Sequence, residues 1–295
     1  MEDLIIIGAG PAGISAALYA VRANVTPLVV YQGGGALEKA EKIENFYGNA
    51  EFLSGRELQE KGMQQARQLG VRFLETQVLG LGGLDTFQVK TTDGDLEARS
   101  VILATGTKRP APKIPGLKEL EGKGVSYCAV CDAFFYRNRN VAVLGNGDFA
   151  LHEAKELEPM AGSVTILTGG LPGDFSEETE IPVDERPVEE ILGTDRVEGV
   201  RFLEGEDLAV EGLFVAFGTA GTAEMARQMG AELTERGHIV VDAGMQTTIP
   251  GLYAAGDCTG GLLQISKAVY EGTLAGIEAA KYVKKQKKDE SRKEE

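Results

Sequence analysis

The chain carries two copies of one local pattern, and this repeat limits the folds open to it. Leu4–Ile7 is a short apolar run followed by a glycine-rich turn, Gly8-Ala-Gly-Pro-Ala-Gly13, and an alanine-rich segment. Val141–Leu144 begins a second copy, with the turn Gly145-Asn-Gly-Asp-Phe-Ala150. A four-residue apolar run bounded by glycine is typical of a buried strand, and a helical segment follows each turn. The sequence therefore predicts two strand–turn–helix units.

The first turn has the residues that a phosphate-binding turn needs. Gly8 permits the tight turn, Gly10 lets the backbone approach a pyrophosphate, and Gly13 lets the helix pack on the strand. Pro11 suits the first helical turn, where its missing N–H costs nothing, and Ala12 follows it. The free N–H groups and the positive dipole end of the helix attract phosphates. Such a turn is weak evidence alone, but between a strand and a helix, and repeated, it indicates Rossmann-type units.

The repeat and the length of 295 residues, with 43% hydrophobic content, predict two domains. We expect an α/β fold with two Rossmann-like, three-layer ββα nucleotide-binding domains, the second inserted in the first. Lys113–Leu117 contains proline and glycine and indicates a hinge. Residues 1–113 and 243–295 are expected to form one domain, and residues 117–240 the other. A final helix is predicted from Ile265 to Lys285, followed by a frayed tail.

Cys128 and Cys131 form a CxxC pair that is followed by Asp132 and precedes the second glycine-rich turn. The chain has only three cysteines, which fits a reducing compartment where a close pair is catalytic or metal-binding rather than structural. Zinc needs about four ligands, and Cys258 and the two histidines are too scattered to supply them at zinc-finger spacing. We therefore predict a redox-active dithiol, no metal, and electron transfer between a bound cofactor and a disulfide.

The formal net charge is −15, and much of it lies in one segment. Residues 171–211 contain 14 acidic residues and three arginines, a net charge of −11. Such a segment repels polyanions, so nucleic-acid binding is disfavoured. No apolar run reaches the 18 residues of a membrane span, and the first strand begins too early to leave room for a signal peptide. A cytoplasmic location is expected.

Four motifs follow one another along the chain: Gly8–Gly13, Ala104-Thr105-Gly106, Cys128–Asp132 with Phe134-Phe-Tyr-Arg-Asn138 after it, and Ala254-Ala-Gly256-Asp257. In their order and spacing the chain resembles the low-molecular-weight thioredoxin reductases over nearly its whole length. The resemblance implies a flavin-dependent disulfide reductase with FAD in the outer domain, which is assembled from the two ends of the chain. It also implies a homodimer and a thioredoxin-like protein substrate.

The resemblance gives roles to further single residues. Positions that match the flavin-binding site are Gly34, Gly35, Asn45, Thr105, Gly106, Gly256, Asp257, Gln264 and Ile265. Asp257 would hold the ribityl chain. Gln264 and the start of the last helix, at Ile265, would face the pyrimidine edge, where the helix dipole stabilises the negative charge that builds on reduction. An ordinary turn is the alternative role for Asn45, and a turn or helix cap is the alternative for Asp257.

In a dithiol the thiolate is the nucleophile, and exchange is fastest when the thiol pKa lies near the ambient pH. By resemblance, one sulfur of Cys128 and Cys131 sits against the flavin and the other exchanges with the protein substrate. Asp132 relays a proton in the same scheme. The sequence does not fix which sulfur takes which role, and Asp132 has the alternative role of capping the next segment of the chain.

The second glycine-rich unit departs from the family pattern. The predicted strand Ser163–Leu167 runs into Thr168–Asp174, which has no basic residue for the 2′-phosphate of NADPH and no acidic residue at the strand end for an NAD ribose. Asp148 puts a carboxylate where phosphate should approach. Leu263-Gln264-Ile265 stands where NADPH-using relatives have Arg-Gln-Ala, so the chain resembles the ferredoxin-dependent flavin thioredoxin reductases. We expect reduced ferredoxin, rather than NADPH, to be the donor.

Three other functions remain open at this stage. The first is an NADPH-dependent thioredoxin reductase with an unusual nucleotide site. The second is a flavin dithiol oxidase that passes electrons to oxygen. The third is a non-catalytic flavin-binding redox sensor, against which the intact Cys128, Cys131 and Asp132 argue, because a sensor needs no proton relay.

Overall fold

The computed structural model describes residues 1–33, 35–49, 51–83, 85–106, 113–127, 129–217 and 221–294, without the side chains at positions 39, 130, 131, 293 and 294. The chain divides into unit 1, Met1–Lys108 with Gly221–Glu295, and unit 2, Arg109–Ala220. Unit 2 is thus inserted in unit 1. Each unit has a parallel β-sheet with helices, so the predicted α/β fold is confirmed.

The elements are given in chain order. The first part of unit 1 contains β1 (Glu2–Ile7), α1 (Pro11–Arg22), β2 (Leu28–Tyr31), α2 (Gly55–Gln68), β3 (Arg72–Glu75), β4 (Val78–Gly82), β5 (Phe87–Thr91) and β6 (Leu96–Leu103). Unit 2 contains β7 (Val125–Ser126), α3 (Ala129–Asp132), β8 (Asn140–Leu144), α4 (Asp148–Leu157), β9 (Ser163–Leu167), β10 (Val183–Asp184), β11 (Val188–Leu192), β12 (Gly199–Phe202) and β13 (Gly212–Val215). Unit 1 resumes with α5 (Thr222–Gln228), β14 (Leu252–Ala254) and α6 (Ile265–Glu294).

The sheet of unit 1 has the strand order β3-β2-β1-β6-β5-β4, and β14 also pairs with β6. Strands β3, β2, β1, β6 and β14 run parallel, while β4 and β5 are antiparallel additions. Leu4–Ile7 in β1 is buried on both faces, as the continuous apolar run predicts. The carboxyl ends of β1, β6 and β14 therefore meet at one edge, where the first glycine-rich turn begins.

The sheet of unit 2 has the strand order β10-β9-β8-β13-β7 and is parallel throughout. A separate antiparallel pair, β11 and β12, packs its residues Ile191, Val200 and Phe202 into the same core. The second glycine-rich turn follows β8, and the CxxC helix α3 follows β7. Both therefore lie at carboxyl ends of parallel strands.

Helices α1 and α6 pack closely because small residues line their contact. A Cβ atom added at Gly272 would lie 2.1 Å from the Ala12 carbonyl oxygen, and one at Gly276 would lie 2.3 Å from that of Ala16. The Ser15 hydroxyl adds a hydrogen bond of 2.8 Å to the Val269 carbonyl. This contact fixes the helix that follows the first glycine-rich turn against the last helix of the chain.

Two sequence predictions differ from the structure. The second domain was expected to run to residue 240, but the chain rejoins unit 1 at Gly221. Helix α5 packs on β4, and the Gln228 side-chain oxygen accepts a hydrogen bond of 3.0 Å from the Leu81 N–H. A tertiary contact therefore sets this boundary. Glycines stand on both sides of α5, at Gly221 and Gly230, so glycine alone does not tell which side is the domain boundary.

The predicted frayed tail is wrong, since α6 continues to Glu294. No glycine or proline interrupts the helix after Gly276, and lysine and glutamate favour helix. Arg99 pairs with Glu290, and Lys287 Nζ lies 2.5 Å from a carboxylate oxygen of Asp3, so the last turns are tied to unit 1. No described helix combines the length and the apolar character that a bilayer crossing requires.

Candidate active site

The first glycine-rich turn connects β1 to α1 and is shaped by its glycines. Gly8 has φ +114°, and a Cβ atom there would lie 2.4 Å from the Ala104 carbonyl oxygen. A Cβ atom at Gly13 would lie 1.9 Å from the Gly8 carbonyl oxygen. Both positions therefore require glycine for the chain's own packing, and Pro11 occupies the first position of α1.

At Gly10, the absence of a side chain has a different role. Its backbone is extended, with φ −76°, and none of the described residues beyond its chain neighbours has an atom within 4 Å of the position that a Cβ would take. The chain's own packing therefore does not exclude a side chain here. An open, glycine-lined approach to the N-terminus of α1 is what a pyrophosphate requires, so these residues fit the phosphates of FAD.

A buried ion pair holds the turn that carries Asp257. Lys267 Nζ lies 2.9 Å from Glu271 Oε2 and donates a hydrogen bond of 2.7 Å to the Gly256 carbonyl. Glu271 Oε2 accepts a hydrogen bond of 2.8 Å from the Gly256 N–H, and the Thr259 hydroxyl contacts both charged groups. Both backbone polar groups of the residue before Asp257 are therefore fixed by side chains of α6.

Gly256 has φ +90°, and a Cβ atom there would lie 3.0 Å from Ala12 Cβ in α1. The Asp257 turn is thus brought against the first turn of α1. Gly256, not Asp257, occupies the cap position of the short helical turn that follows, and no side-chain cap bond is made there. Among the described residues no donor contacts the half-buried Asp257 carboxylate, so the alternative of a helix cap is not supported. A carboxylate in this place can accept hydrogen bonds from a polyol such as the ribityl chain.

Asn45 and Gln264, which are 219 residues apart, meet in the structure. Asn45 Nδ2 donates a hydrogen bond of 3.0 Å to Gln264 Oε1, immediately before α6 begins at Ile265. The two predicted flavin residues therefore belong to one cluster at the positive end of a 30-residue helix. Gly35 has φ +65°, and no described residue beyond its chain neighbours has an atom within 4 Å of the position that a Cβ would take there. Gly34 lies outside the described residues.

Thr105 and Gly106 follow β6 and contact the start of α5. The Thr222 hydroxyl is hydrogen-bonded to the Thr105 hydroxyl and donates a bond of 3.1 Å to the Gly106 carbonyl. The sequence analysis missed Thr222, Lys267 and Glu271. A lysine and a glutamate four residues apart at the start of α6 were the available signal for the ion pair, but this spacing is common on exposed helices.

The dithiol belongs to unit 2. Cys128 lies outside the described residues, and Cys131 lies in α3, where its backbone is described but its side chain is not. Asp132 ends α3, and its Oδ2 accepts a hydrogen bond of 2.6 Å from the Ser126 hydroxyl at the end of β7. Asp132 makes no cap bond to the short helical turn after it. The Ser126 hydroxyl therefore holds the Asp132 carboxylate at the end of α3.

A second carboxylate contacts the same short helix. Glu153, on α4, is only 1% exposed, and its Oε2 accepts a hydrogen bond of 2.6 Å from the Ala129 N–H. Ala129 is the residue that directly follows Cys128. The sequence analysis missed Glu153, because only the fold brings α4 under the CxxC turn.

Two aromatic side chains are exposed directly after the dithiol. Phe134 and Phe135 are 69% and 68% exposed, and their rings contact each other edge to face at 6.1 Å. Tyr136, in contrast, packs its ring against Phe214. Burial and, to a lesser extent, the nearby Asp132 charge raise the pKa of Tyr136, so it stays neutral. Two adjacent exposed phenylalanines provide an apolar contact surface directly after α3.

The chain covers its own second glycine-rich turn. The Asp174 N–H donates a hydrogen bond of 2.7 Å to the Asn146 carbonyl, and Gly147 and Asp174 form a β-bridge. The Ser176 N–H donates a bond of 2.7 Å to Asp148 Oδ1 at the first position of α4. Segment 172–176 therefore lies over the helix N-terminus that would otherwise receive a pyrophosphate.

The region beyond β9 is acidic and has no helix. Residues 168–182 form an irregular loop with a bridge at Asp174, and Glu185 accepts a hydrogen bond of 3.0 Å from the Gly173 N–H. No lysine or arginine occurs between residues 156 and 185. This segment therefore has no lysine or arginine of its own to pair with a 2′-phosphate.

Cys258 is buried, 6% exposed, and packs beside the carbonyls of Leu103 and Ala255. Burial raises the pKa of its thiol to about 12. It is therefore an inert core residue. In the described part of the chain, no group of three or more histidine, cysteine, aspartate or glutamate side chains is arranged to hold a metal ion.

Comparison with known proteins gives one consistent family. The pyridine nucleotide-disulphide oxidoreductase family matches residues 2–171 and 174–272. The thioredoxin reductase of Aquifex aeolicus is 37% identical over 274 residues, which cover 86% of this chain and 84% of that protein.

Two solved structures are also similar. The atypical thioredoxin reductase TRi from Desulfovibrio vulgaris Hildenborough has a TM-score of 0.91 at 39% identity, over 97% of this chain and 99% of that one. A ferredoxin-flavin thioredoxin reductase from Clostridium acetobutylicum has a TM-score of 0.71 at 30% identity, over 96% and 98% of the two chains. The chain therefore belongs to the pyridine nucleotide-disulphide oxidoreductase family and is an oxidoreductase of the thioredoxin reductase type.

Proposed function

We propose that the protein is an FAD-dependent disulfide reductase that reduces a thioredoxin-like protein through Cys128 and Cys131, with reduced ferredoxin as the electron donor. The observation that carries the choice of donor is the covered second glycine-rich turn. There, the Asp174 N–H donates to the Asn146 carbonyl, the Ser176 N–H donates to Asp148 Oδ1, and Asp174 bridges to Gly147, so segment 172–176 lies against the turn where a nucleotide pyrophosphate would have to approach. NADPH is therefore not the donor in this proposal.

The proposal assigns FAD to unit 1. Gly8, Gly10 and Gly13 receive the pyrophosphate at the start of α1, and Asp257 accepts hydrogen bonds from the ribityl hydroxyls. Asn45 and Gln264 line the ring at the start of α6. The open approach at Gly10 and the fixed backbone at Gly256 support this assignment. When bound, FAD accepts electrons one at a time and delivers them as a pair, which a one-electron donor and a disulfide together require.

The dithiol step is an exchange in which bonds and electrons balance. One of the Cys128 and Cys131 thiolates attacks a sulfur of the substrate disulfide, and a mixed disulfide forms as the substrate S–S bond breaks. The second thiolate then attacks the mixed disulfide, so the enzyme's S–S bond forms and the substrate leaves as a dithiol. Asp132, held by Ser126, gives a proton to the leaving substrate thiolate.

The substrate docks on the apolar surface beside this dithiol. Phe134 and Phe135 are exposed and adjacent to α3, so a protein disulfide that reaches the cysteines passes over their rings. Aromatic side chains of this kind are frequent centres of protein contacts. The thioredoxin reductases among the relatives support a thioredoxin-like partner.

The choice of ferredoxin has two supports. One similar structure is named a ferredoxin-flavin thioredoxin reductase. Plant-type ferredoxins have reduction potentials of about −400 mV and thioredoxin has one of about −270 mV. Two electrons that pass from ferredoxin to thioredoxin therefore fall by about 130 mV, or roughly 6 kcal/mol. The reaction is therefore strongly downhill with this donor.

Assembly and location complete the proposal. A homodimer is expected to form through unit 1, whose Tyr47, Leu262 and Tyr270 are 99%, 68% and 62% exposed. The low cysteine content supports a reducing, cytoplasmic environment. Sedimentation of the purified flavoprotein tests the dimer, and a mass of one chain would contradict it.

The decisive experiment is an anaerobic titration of the purified protein with reduced ferredoxin, NADPH and NADH while the flavin absorbance is followed. Ferredoxin should bleach the flavin and then produce thiols on thioredoxin, and the Cys128→Ser variant should lose only the second reaction. Bleaching by stoichiometric NADPH would overturn the choice of donor. In a separate aerobic assay, oxygen consumption with a small dithiol and without thioredoxin would instead indicate a dithiol oxidase. A colourless protein that takes up no FAD would overturn the whole proposal.

A further inference from the structure

Lys267 is a buried cation at the candidate flavin site and takes no part in the steps described above. Its Nζ lies 2.9 Å from Glu271 Oε2 and donates hydrogen bonds of 2.7 Å to the Gly256 carbonyl and 2.8 Å to the Thr259 hydroxyl. These contacts use all three N–H donors of the ammonium group. The side chain is only 15% exposed, so the fold holds a fixed positive charge where water has little access.

A buried ion pair is weak evidence for stability, because the cost of taking two charges out of water offsets their attraction. This pair also has a direction. Lys267 contacts the Gly256 carbonyl, which belongs to the peptide that leads to Asp257. Glu271 contacts the Gly256 N–H, which belongs to the peptide that leads back to Ala255. The positive end of the pair is therefore the end that faces the Asp257 peptide.

Two of the residues assigned to the flavin stand on either side of this cation. Asp257 follows Gly256 directly, and Gln264 precedes Lys267 by about one helical turn at the start of α6. Glu271 is one further turn along α6. Reduction adds two electrons and one proton to the flavin, so the ring gains a negative charge. A fixed positive charge nearby stabilises that reduced form, most strongly where water is scarce.

We propose that Lys267 tunes the flavin: its charge stabilises the reduced ring and raises the reduction potential, while Glu271 partly offsets it. The inference rests on the proposed function, since it requires FAD in unit 1. A flavin of raised potential accepts electrons readily from a donor of low potential such as ferredoxin. Lys267 itself exchanges neither electrons nor protons, so it is not a catalytic residue.

The test measures the flavin couple by itself. Every protein compared carries Cys128→Ser, so that no enzyme disulfide takes up electrons. The holoenzyme is equilibrated without oxygen against mixtures of oxidised and reduced phenosafranine, a two-electron dye. Two electrons and the accompanying protons pass from the reduced dye to the flavin, so the dye is oxidised as the flavin is reduced. The absorbances of dye and flavin give the equilibrium ratio for the parent and for Lys267→Met, Glu271→Gln and Lys281→Met.

Lys267→Met removes the cation, so the equilibrium should shift at least about tenfold toward oxidised flavin, or about 30 mV. Glu271→Gln removes the opposing charge but keeps an oxygen for the Gly256 N–H, so the shift should be at least about threefold toward reduced flavin. Lys281→Met makes the same change of net charge at an exposed position of α6 and should stay within about twofold of the parent. Opposite shifts in the two buried variants indicate charge, because loosening of the turn would act in one direction in both.

An unshifted Lys267→Met variant, shifts of one sign in Lys267→Met and Glu271→Gln, or an equal shift in Lys281→Met would each overturn the inference. If a single variant takes up no FAD, the double variant Lys267→Met/Glu271→Gln decides, because it leaves no buried charge without its partner. Its equilibrium should lie about threefold toward oxidised flavin, between the two single shifts. An unchanged equilibrium, or a double variant without FAD, would contradict the tuning role. A natural protein that takes up no FAD would overturn the proposed function itself, which separates the two failures.

Discussion

Asn45 Nδ2 donates a hydrogen bond to Gln264 Oε1, so two residues 219 positions apart define one edge of the candidate flavin site. The first lies in a loop after β2 and the second immediately precedes α6. The bond joins the side chains of two segments that are distant in sequence. The contact therefore depends on the packing of α1 against α6 and joins the two ends of unit 1.

Removal of this contact should weaken flavin binding modestly. Asn45→Ala deletes one hydrogen bond in an exposed position, which costs about 1 kcal/mol, or about fivefold in the FAD dissociation constant. Fluorescence titration of the apoprotein with FAD measures the change. Gln264→Ala should cost a similar amount, and the double variant should add little to either. Fully additive losses would show that the two side chains bind independently.

Gly10 should be essential for FAD but not for folding. A methyl group at Gly10 meets no described residue, so Gly10→Ala should leave the melting temperature of the apoprotein unchanged. The same methyl group lies where a pyrophosphate approaches, so FAD binding should weaken at least about tenfold, or about 1.4 kcal/mol. Gly13→Ala is the matched control, because its Cβ would lie 1.9 Å from a carbonyl oxygen and should destabilise the fold. Normal FAD affinity in Gly10→Ala would contradict the assignment.

Local patterns in the sequence predicted the strands that carry the site. The apolar run Ser163–Leu167 is β9 to the residue, and Leu4–Ile7 lies within β1. Leu4–Ile7 is buried on both faces, and Val164, Ile166 and Leu167 are buried in β9, so the apolar residues next to glycine define these strands. The first glycine-rich turn is also predictable from its own residues, because Gly8 and Gly13, five positions apart, contact each other.

Long-range contacts explain what the sequence did not predict. Segment 172–176 covers the second glycine-rich turn through backbone groups, which leave no mark in residue identity. The sequence does not distinguish Glu153 and Lys267 from charges on an exposed helix, but the fold buries the carboxylate of the first and the ion pair of the second. Backbone pairing and burial are properties of tertiary structure, so a single sequence shows them only weakly.

Lys267→Met should loosen the turn that holds Asp257. The substitution leaves Glu271 as a charge without its partner at a site where the two side chains are only 15% and 12% exposed. Breaking a buried pair of this kind costs about 3 kcal/mol of the free energy of unfolding. Urea denaturation of the apoprotein measures this loss. Lys281→Met removes an exposed lysine paired with Glu278 and should cost less than about 0.5 kcal/mol. Equal losses in the two variants would contradict the role of the buried pair.

Ser126→Ala should slow thioredoxin reduction without changing thioredoxin binding. The Ser126 hydroxyl fixes Asp132 Oδ2 at 2.6 Å, and its loss should lower kcat about threefold to tenfold while KM stays constant. Asp132→Asn removes the proton donor itself and should lower kcat about 100-fold. Ser163→Ala deletes an exposed hydroxyl bound to Asn140 in the same unit and serves as the control. A change in KM alone would assign Ser126 to substrate binding.

Cys258 should make the protein less stable in alkaline solution. Burial raises the pKa of its thiol to about 12 from an ordinary value of 9.0. Above pH 9 the unfolded chain therefore loses a proton that the folded protein retains, so the free energy of unfolding falls as pH rises toward 12. The loss approaches about 1.4 kcal/mol per pH unit.

Urea denaturation at pH 8 and pH 10 measures this effect. Cys258→Ala has no thiol to ionise, so its free energy of unfolding should fall by about 1 kcal/mol less than that of the natural protein between these two values. Tyr253, whose pKa burial also raises, is common to both proteins and cancels in the comparison. Equal losses in the two proteins would mean that the thiol ionises as readily in the folded protein as in the unfolded chain, and Cys258 would then have to be considered a reactive residue.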